Sequence, residues 1–519
     1  MELKSKDESE AYVLDLQRKL HRWSIEGTYT LNRVYNLVYN PYIMSCAWYR
    51  LRKNKGSKTA GTDGITKKII EMEIGVEQWL TDIEMELRAR TFEPDLVRRE
   101  WIPKDGKPGK YRGLGIPCLS DRLVQMSVKL ILEPIFDAHF KDCSFGFRPG
   151  RGPLDAIATA AGYMNPNYGY DWVIEADLRS CFDNINHNRL LDQVKQLVPD
   201  RRIRVLLNGF LKAGVLESGR VHYPVTGSPQ GGILSPLLAN IYLNALDEYY
   251  QEQYHDLTNY QRNCLSKAGE PVFRLVRYAD DFVILVKGSR EQAEAGLAFL
   301  RDFVRTTLRM ELAEEKSGVH SLWDGFTFLG YEFRRGYSLR TGKFSTILLP
   351  AKESVLRFRR KVKEICSKST TYKSFDDILS ELDKLIRGWG NYFRFGWVSR
   401  LFSKLDHYIW GRVGYWLRKK YPRRPMKKHR GRKRKYKNGT WRWIFRRFCR
   451  RDITGRRRWE GKKNHLTFLR RACPSVYLPR FGKKVPAPWV TLCGTQVLLA
   501  SFATGHGMVM EMEQVLQRH

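Results

Sequence analysis

Closely spaced cysteines are missing. The nine Cys, at positions 46, 118, 143, 181, 264, 366, 449, 473 and 493, never fall within five residues of one another. This removes CxxC redox and zinc-finger spacings, and an odd count argues against a disulfide framework, so a reducing compartment is expected. Acid is scarce: 55 Asp+Glu face 91 Lys+Arg, a formal charge of +36. So large an excess points to a polyanionic partner, nucleic acid first. Long apolar runs are also missing. From Trp489 to Met510 there is no Asp, Glu, Lys or Arg, a length that could span a bilayer, but Thr491, Gln496, Ser501, Gly505, His506 and Gly507 interrupt it. A buried or partner-docking helix is expected there, with no membrane partner. Met1–Glu8 has no apolar run and is too acidic for a transit peptide, so no targeting segment is predicted.

What is present is a chain with material for real cores: 519 residues, 42% hydrophobic and 13% aromatic. That excludes a mostly disordered polymer and predicts roughly two to four domains. Charge is uneven. From Arg418 to Arg471 there are 25 Lys/Arg against Asp452 and Glu460, which supplies +23 of the +36. Trp441, Trp443, Phe445, Phe448 and Trp459 interleave with Arg442, Arg446 and Arg447 in this run, a composition suited to backbone phosphates and stacked bases.

Upstream, helical spacing over 1–60 is followed by a Gly- and Lys-rich loop at 53–64 and a further helical stretch at 65–90. Two strands are predicted over 98–116 and an amphipathic helix over 121–140. A short strand is expected at 172–177, a hairpin at 272–286, a helix at 290–308 and strands at 326–335 and 337–349. Residues 351–420 read as helices only, and no internal repeat is seen. The mixture without regular βαβ alternation predicts an α+β fold.

Adjacent acids occur at the hairpin turn, Tyr278-Ala279-Asp280-Asp281. Two carboxylates at a turn between apolar arms repel each other unless a cation is bound. Asp177 closes a second apolar strand. A metal-dependent phosphoryl transferase needs carboxylates from different strands to hold two ions. Asp177 and Asp280 are therefore the candidate bridging pair, with Asp281 in support. Phe182, five residues after Asp177, would sit beneath an incoming sugar in a polymerase palm, where its ring would reject a 2′-hydroxyl; as a plain core residue it would do nothing of the kind. The string 227–232, Gly-Ser-Pro-Gln-Gly-Gly, lets backbone approach a ligand, and Gln230 offers both donor and acceptor. Lys104 and Arg112 flank the turn at 104–109 and are candidates for phosphate binding; Lys316 is a candidate proton donor to pyrophosphate.

Taken together the strings resemble the reverse transcriptases encoded by group II introns. The resemblance runs through Gly61–Ile65, Ile102–Pro117 with Arg122 beyond, Ser144–Arg151 including Arg148, Ala176–Ile185, Ser228–Asn240, Tyr278–Asp281 and Phe328-Leu329-Gly330-Tyr331. Ile386–Phe393 and Tyr408–Lys420 are similar to the family's maturase-specific region. The resemblance implies a right-hand polymerase: a helical N-terminal extension (1–65), fingers and palm (66–345), a helical thumb or maturase-specific domain (346–420) and a basic DNA-binding region (421–519). It implies RNA-directed DNA synthesis with dNTPs and two Mg²⁺ ions, Mn²⁺ substituting. Implied partners are an RNA template with a DNA or RNA primer, intron RNA and target DNA, in a bacterial, nucleoid-associated, cytoplasmic setting. Arg148, a primer grip at Leu329, Gly330 and Tyr331, and Arg442, Arg446 and Arg447 are the expected nucleic-acid contacts. The aromatic set Trp389, Tyr392, Phe393, Phe395 and Trp397 suits either RNA stacking or a helical core. Unlike some members, the last hundred residues carry no Cys/His metal pairs, so no HNH endonuclease is expected. An RNA-dependent RNA polymerase is the main rival, which Phe182 disfavours; a domesticated relative serving host defence or DNA repair is the alternative role.

Overall fold

The computed structural model describes residues 1–421 apart from 28, 104–108, 110, 218, 224–225, 228–230 and 339–341, together with 449–451, 457–459 and 469. Helices and strands are mixed, as the sequence predicts. The strands up to residue 350 are β1 (Val97–Pro103), β2 (Tyr111–Ile116), β3 (Trp172–Asp177), β4 (Val215–Glu217), β5 (Arg220–His222), β6 (Val272–Tyr278), β7 (Asp281–Lys287), β8 (Gly318–Ser321), β9 (Phe326–Phe328), β10 (Tyr331–Ser338) and β11 (Lys343–Pro350).

The central sheet has the order β6-β7-β3-β8, with every neighbouring pair antiparallel. Its inner strands are apolar runs, broken only by Glu175 in β3, because both faces are covered. On one side Ile174, Leu275 and Ile284 join a core built with the helices Leu119–Asp137, Ser235–Tyr250 and Arg290–Thr306. On the other, Val173, Val276, Val283 and Leu285 join a second core that continues into the C-terminal helices. The helix at 119–137 is buried almost all round rather than amphipathic, which explains why its polar face, Asp121, Arg122 and Gln125, is also buried.

A second sheet, β2-β1-β4-β5, lies beyond that helix, and β9, β10 and β11 form a third. β10 leads through β11 into three helices, Lys352–Ile365, Phe375–Phe393 and Ser399–Lys420. Their amphipathic spacing packs Phe358, Ile378, Leu382, Ile386, Phe402, Ile409 and Trp416 inward. Three helices that the sequence reading did not register, Pro153–Tyr163, His187–Leu197 and Arg201–Lys212, fill the space around the central sheet. No helix among the described residues is long and apolar enough to cross a membrane; the 489–510 stretch lies outside them.

Candidate active site

Tyr278 pairs with Asp281, so the hairpin turn is only Ala279 and Asp280. Asp281, expected in the turn, is the first residue of β7. On the other side of β7, Asp281 pairs with Asp177, the last residue of β3. Strand register therefore brings the three predicted carboxylates to one end of the sheet. Ala279 adopts φ 58°. A non-glycine residue in that region costs about 1–2 kcal/mol, so the surroundings must hold the turn.

The carboxylates feel each other. Burial raises the Asp280 pKa and Asp177 adds to the rise, while Arg112 and Lys316 oppose it. The Asp281 side chain reaches solvent, yet burial of its carboxylate and the charges of Asp280 and Asp177 lift its pKa to about 6. Lys316 donates a hydrogen bond to Asp177 Oδ2, and that bond raises the lysine's pKa. A site in which two carboxylates resist ionisation, and where the Lys316 ammonium bonds to the third, is short of positive charge among the described residues. Its donors are all carboxylate oxygens, which suit hard ions such as Mg²⁺ or Mn²⁺. Among the described residues the one trio of acid, thiol or imidazole ligand atoms mutually within 4.8 Å is Asp95, Cys118 and Asp121. Asp177, Asp280 and Asp281 do not form such a trio.

What holds the turn is Arg277, which sequence reasoning missed. Its side chain is fully buried. Nε donates to Asp247 Oδ1 at 2.7 Å, and one terminal nitrogen reaches Asn240 Oδ1 at 3.0 Å and the Ala279 carbonyl at 2.9 Å. The other donates to Ser144 Oγ at 2.8 Å and to Asp247. Burial works against this charge, and Asp247 more than offsets it. One guanidinium thus ties the helix Ser235–Tyr250 and the 143–146 segment to the strained residue. That segment lies alongside β6: Phe145 N donates to the Arg277 carbonyl at 2.9 Å, and Arg277 N to the Cys143 carbonyl at 2.8 Å. A Cβ on Gly146 would lie 2.3 Å from Ala279 N, so only glycine allows this approach. The strand carries Arg274 as well, and its local sequence does not mark Arg277 as the one that fills this socket.

Phe182 is half-buried in a short 3₁₀ turn, Cys181–Asn184, and packs partly on the first core. Thr226 and Gly227 lie against this turn. Thr226 Oγ1 donates to the Asp183 carbonyl at 3.1 Å, and Gly227 N to the Ile185 carbonyl at 2.8 Å. Farther along, Gly231, with φ 115°, approaches the Gly115 carbonyl of β2. Thr226 and Gly227 thus meet the Phe182 turn, and Gly231 the hairpin carrying Arg112. Arg112 is exposed on β2 and close enough to act on Asp280. Lys104 and Gln230 lie outside the described residues.

The expected nucleic-acid contacts divide. Arg148 is only 7% exposed. Its Nε donates to Asp137 Oδ1 at 2.7 Å and a terminal nitrogen to the Lys141 and Ser144 carbonyls at 2.7 and 3.0 Å. Its donors are used inside the protein, which sets it apart from the other expected nucleic-acid contacts. Tyr331 is likewise fully buried and donates to the Tyr392 carbonyl. Leu329 and Gly330, with φ 48° and 79°, form the two-residue turn between β9 and β10, half-buried against the C-terminal helices. Tyr392 Oη donates to the Leu329 carbonyl at 2.8 Å. Of the aromatic set, Phe393 and Phe395 are core, Trp389 stacks on Phe358 and Phe393, and Trp397 is exposed. Arg442, Arg446 and Arg447 lie outside the described residues.

Comparison with known proteins agrees with this geometry. Residues 102–333 match the family described as reverse transcriptase (RNA-dependent DNA polymerase). Residues 355–436 match the group II intron, maturase-specific domain. The chain is 34% identical over 364 residues to protein YkfC of Escherichia coli, covering 67% of this chain and 94% of that one. It is 32% identical over 408 residues to the group II intron-encoded protein LtrA of Lactococcus lactis, covering 67% of this chain and 65% of LtrA. Over 141 residues it is 33% identical to nuclear intron maturase 4 of Arabidopsis thaliana, 27% of this chain and 17% of that one.

Proposed function

This chain belongs to the group II intron reverse transcriptase and maturase family and is an RNA-directed DNA polymerase, and we propose that Asp177, Asp280 and Asp281 are the carboxylates of its polymerisation site. The observation that carries this is the pairing of Asp177 with Asp281 across β3 and β7, with Asp280 in the adjoining turn. Bound to these carboxylates, two Mg²⁺ ions would activate the primer 3′-hydroxyl and offset charge on the leaving pyrophosphate.

The chain's own groups do the rest. Arg277 and Gly146 fix the turn that presents Asp280. Arg112, with Lys104 from the same hairpin, receives the triphosphate oxygens. Lys316, held at Asp177, is placed to give a proton to pyrophosphate. Phe182 limits the room at the sugar 2′ position, and Gln230 contacts the nucleotide. In this reading 1–65 is a helical extension, 66–345 fingers and palm, 346–420 the thumb and 421–519 a basic DNA-binding region. An RNA template with its primer lies against Leu329 and Gly330. Intron RNA is gripped by the maturase-specific region, and target DNA by the tail through Arg442, Arg446 and Arg447. Splicing assistance and intron mobility follow from these contacts.

The test separates the two roles. Replacing Asp280 and Asp281 by Ala should abolish primer extension and leave intron RNA binding and splicing intact. Retained extension removes the site; splicing lost together with extension in a folded variant removes the separation.

A further inference from the structure

A second group of chemistry-bearing side chains sits away from the catalytic turn. Asp95 precedes β1, Cys118 is the residue before the helix Leu119–Asp137, and Asp121 lies in that helix's first turn. One ligand atom from each lies within 4.8 Å of the other two. Cys118 is inaccessible and Asp121 1% exposed, while Asp95 is exposed. Chain order does not suggest the grouping; it arises because the turn before β1 folds back over the helix start.

An acidic group of this kind is common, and two further observations separate this one from the rest. Asp121 Oδ2 is buried and has no hydrogen-bond partner. Its carboxylate otherwise accepts a long bond from Asp95 N at 3.4 Å and a backbone bond from Cys118. A buried carboxylate oxygen left without a donor costs about 1–3 kcal/mol or more, and native proteins rarely leave one so. The neighbouring guanidinium does not supply the donor. Arg122 Nε and both terminal nitrogens go to the carbonyls of Pro117, Gly56 and Thr59, at 2.8, 2.8 and 2.9 Å. No described ion pair includes Asp95 or Asp121, and the Cys118 thiol meets Thr62 Oγ1 at 3.4 Å and the Asp63 backbone. Second, both carboxylates line a small recess that also takes in Pro117, Gln125, Gly232 and Ser235. The recess opens beside the two carboxylates, with Cys118 behind them.

We propose that Asp95, Cys118 and Asp121 form a binding site for one Zn²⁺ ion, distinct from the polymerisation site. A thiolate with two carboxylates suits a borderline-soft ion that accepts sulfur and oxygen together, whereas Mg²⁺ avoids sulfur. Three protein ligands leave the fourth tetrahedral position to water facing the recess. Coordination takes the Cys118 thiol to thiolate, with the proton released to solvent. The ion would clamp the turn before β1 to the helix 119–137. Gln125 of that helix accepts a hydrogen bond from Ile233 N at 2.9 Å, so the clamp steadies the chain at Ile233.

The full chain, stripped by chelator dialysis and held in Mg²⁺-free buffer, is titrated with Zn²⁺ alone against a chromophoric competitor. A parallel titration with Co²⁺ reads thiolate-to-metal charge transfer. The expected result is one equivalent per chain with a Co²⁺–thiolate band. Cys118→Ser should abolish the band, and Asp121→Asn should remove the equivalent. The Asp280→Ala/Asp281→Ala variant should keep both, which separates this ion from the catalytic ones. If the buried variants unfold by circular dichroism, Asp95→Asn decides, since its side chain is exposed: affinity should fall roughly tenfold or more. Wild-type chain that binds no equivalent, or Asp95→Asn that binds like wild type, overturns the site.

Discussion

Replacing Arg277 tests whether the catalytic turn is held from below. Arg277 and Asp247 are both fully buried, so removing the cation leaves a buried carboxylate unpaired. Breaking such a pair from one side costs about 3–5 kcal/mol. The same change strips a donor from Ser144 Oγ, Asn240 Oδ1 and the Ala279 carbonyl. Each loss adds on the order of 1 kcal/mol, although one relaxed network will not sum them fully. Arg277→Met should therefore lower the melting temperature by roughly 6–20 °C, taking about 2–4 °C per kcal/mol for a unit of 150–250 residues. Arg277→Lys is the sharper variant. It keeps a charge for Asp247 but cannot reach four acceptors with one ammonium, so the turn loses its tether while the fold survives. Because Arg277 acts through Ala279 and Asp280 and does not touch substrate, kcat for primer extension should fall by about 100-fold, the scale of an ångström misplacement. The dNTP KM should stay near wild type. Steady-state extension with a primed RNA template, beside thermal melting, reads both. Arg277→Lys with wild-type kcat refutes the tether, and so does a KM rise equal to the kcat loss.

Gly146→Ala should push the backbone of Ala279, because the new methyl would start 2.3 Å from Ala279 N; extension should drop by tenfold or more while RNA binding measured by filter retention persists. Phe182→Ala should admit rNTPs, read as a rise in the rNTP/dNTP ratio of kcat/KM, and an unchanged ratio removes Phe182 as the sugar gate. Burial, reinforced by the charges of Arg274 and Arg262, holds the His255 pKa down at about 3, where its Nε2 accepts Leu275 N at 3.1 Å. The unfolded chain takes up this proton below about 6.5, the folded one only near 3, so stability is complete above about 6.5 and falls as pH drops through that window. The loss is up to about 1.4 kcal/mol per pH unit; His255→Gln should flatten the acid limb of a urea-midpoint-versus-pH curve.

The carboxylates were legible because each sits at the end of an apolar run, and strand ends are where a buried sheet can present charge. Asp177, Asp280 and Asp281 could be paired from sequence without knowing the strand order, since only antiparallel neighbours with aligned ends bring all three together. The register could not be read: Asp281 reads as part of a turn until pairing with Tyr278 and Asp177 makes it a strand residue. Arginine was the harder case. In a chain with 91 Lys+Arg, nothing local distinguishes an Arg that meets phosphate from one that fills a buried socket. Arg148 and Arg277 differ from the exposed Arg112 only in partners that lie elsewhere in the chain, Asp137 for one and Asp247 for the other. A buried Arg demands an acid at a distance that the tertiary fold alone supplies. Asp95, Cys118 and Asp121 follow the same rule: their spacing fits no ligand motif, and only the fold-back before β1 brings them within reach of one another. Where a functional group acts by pointing out, the sequence pattern exposes it; where it acts by being held in, its meaning resides in the partner.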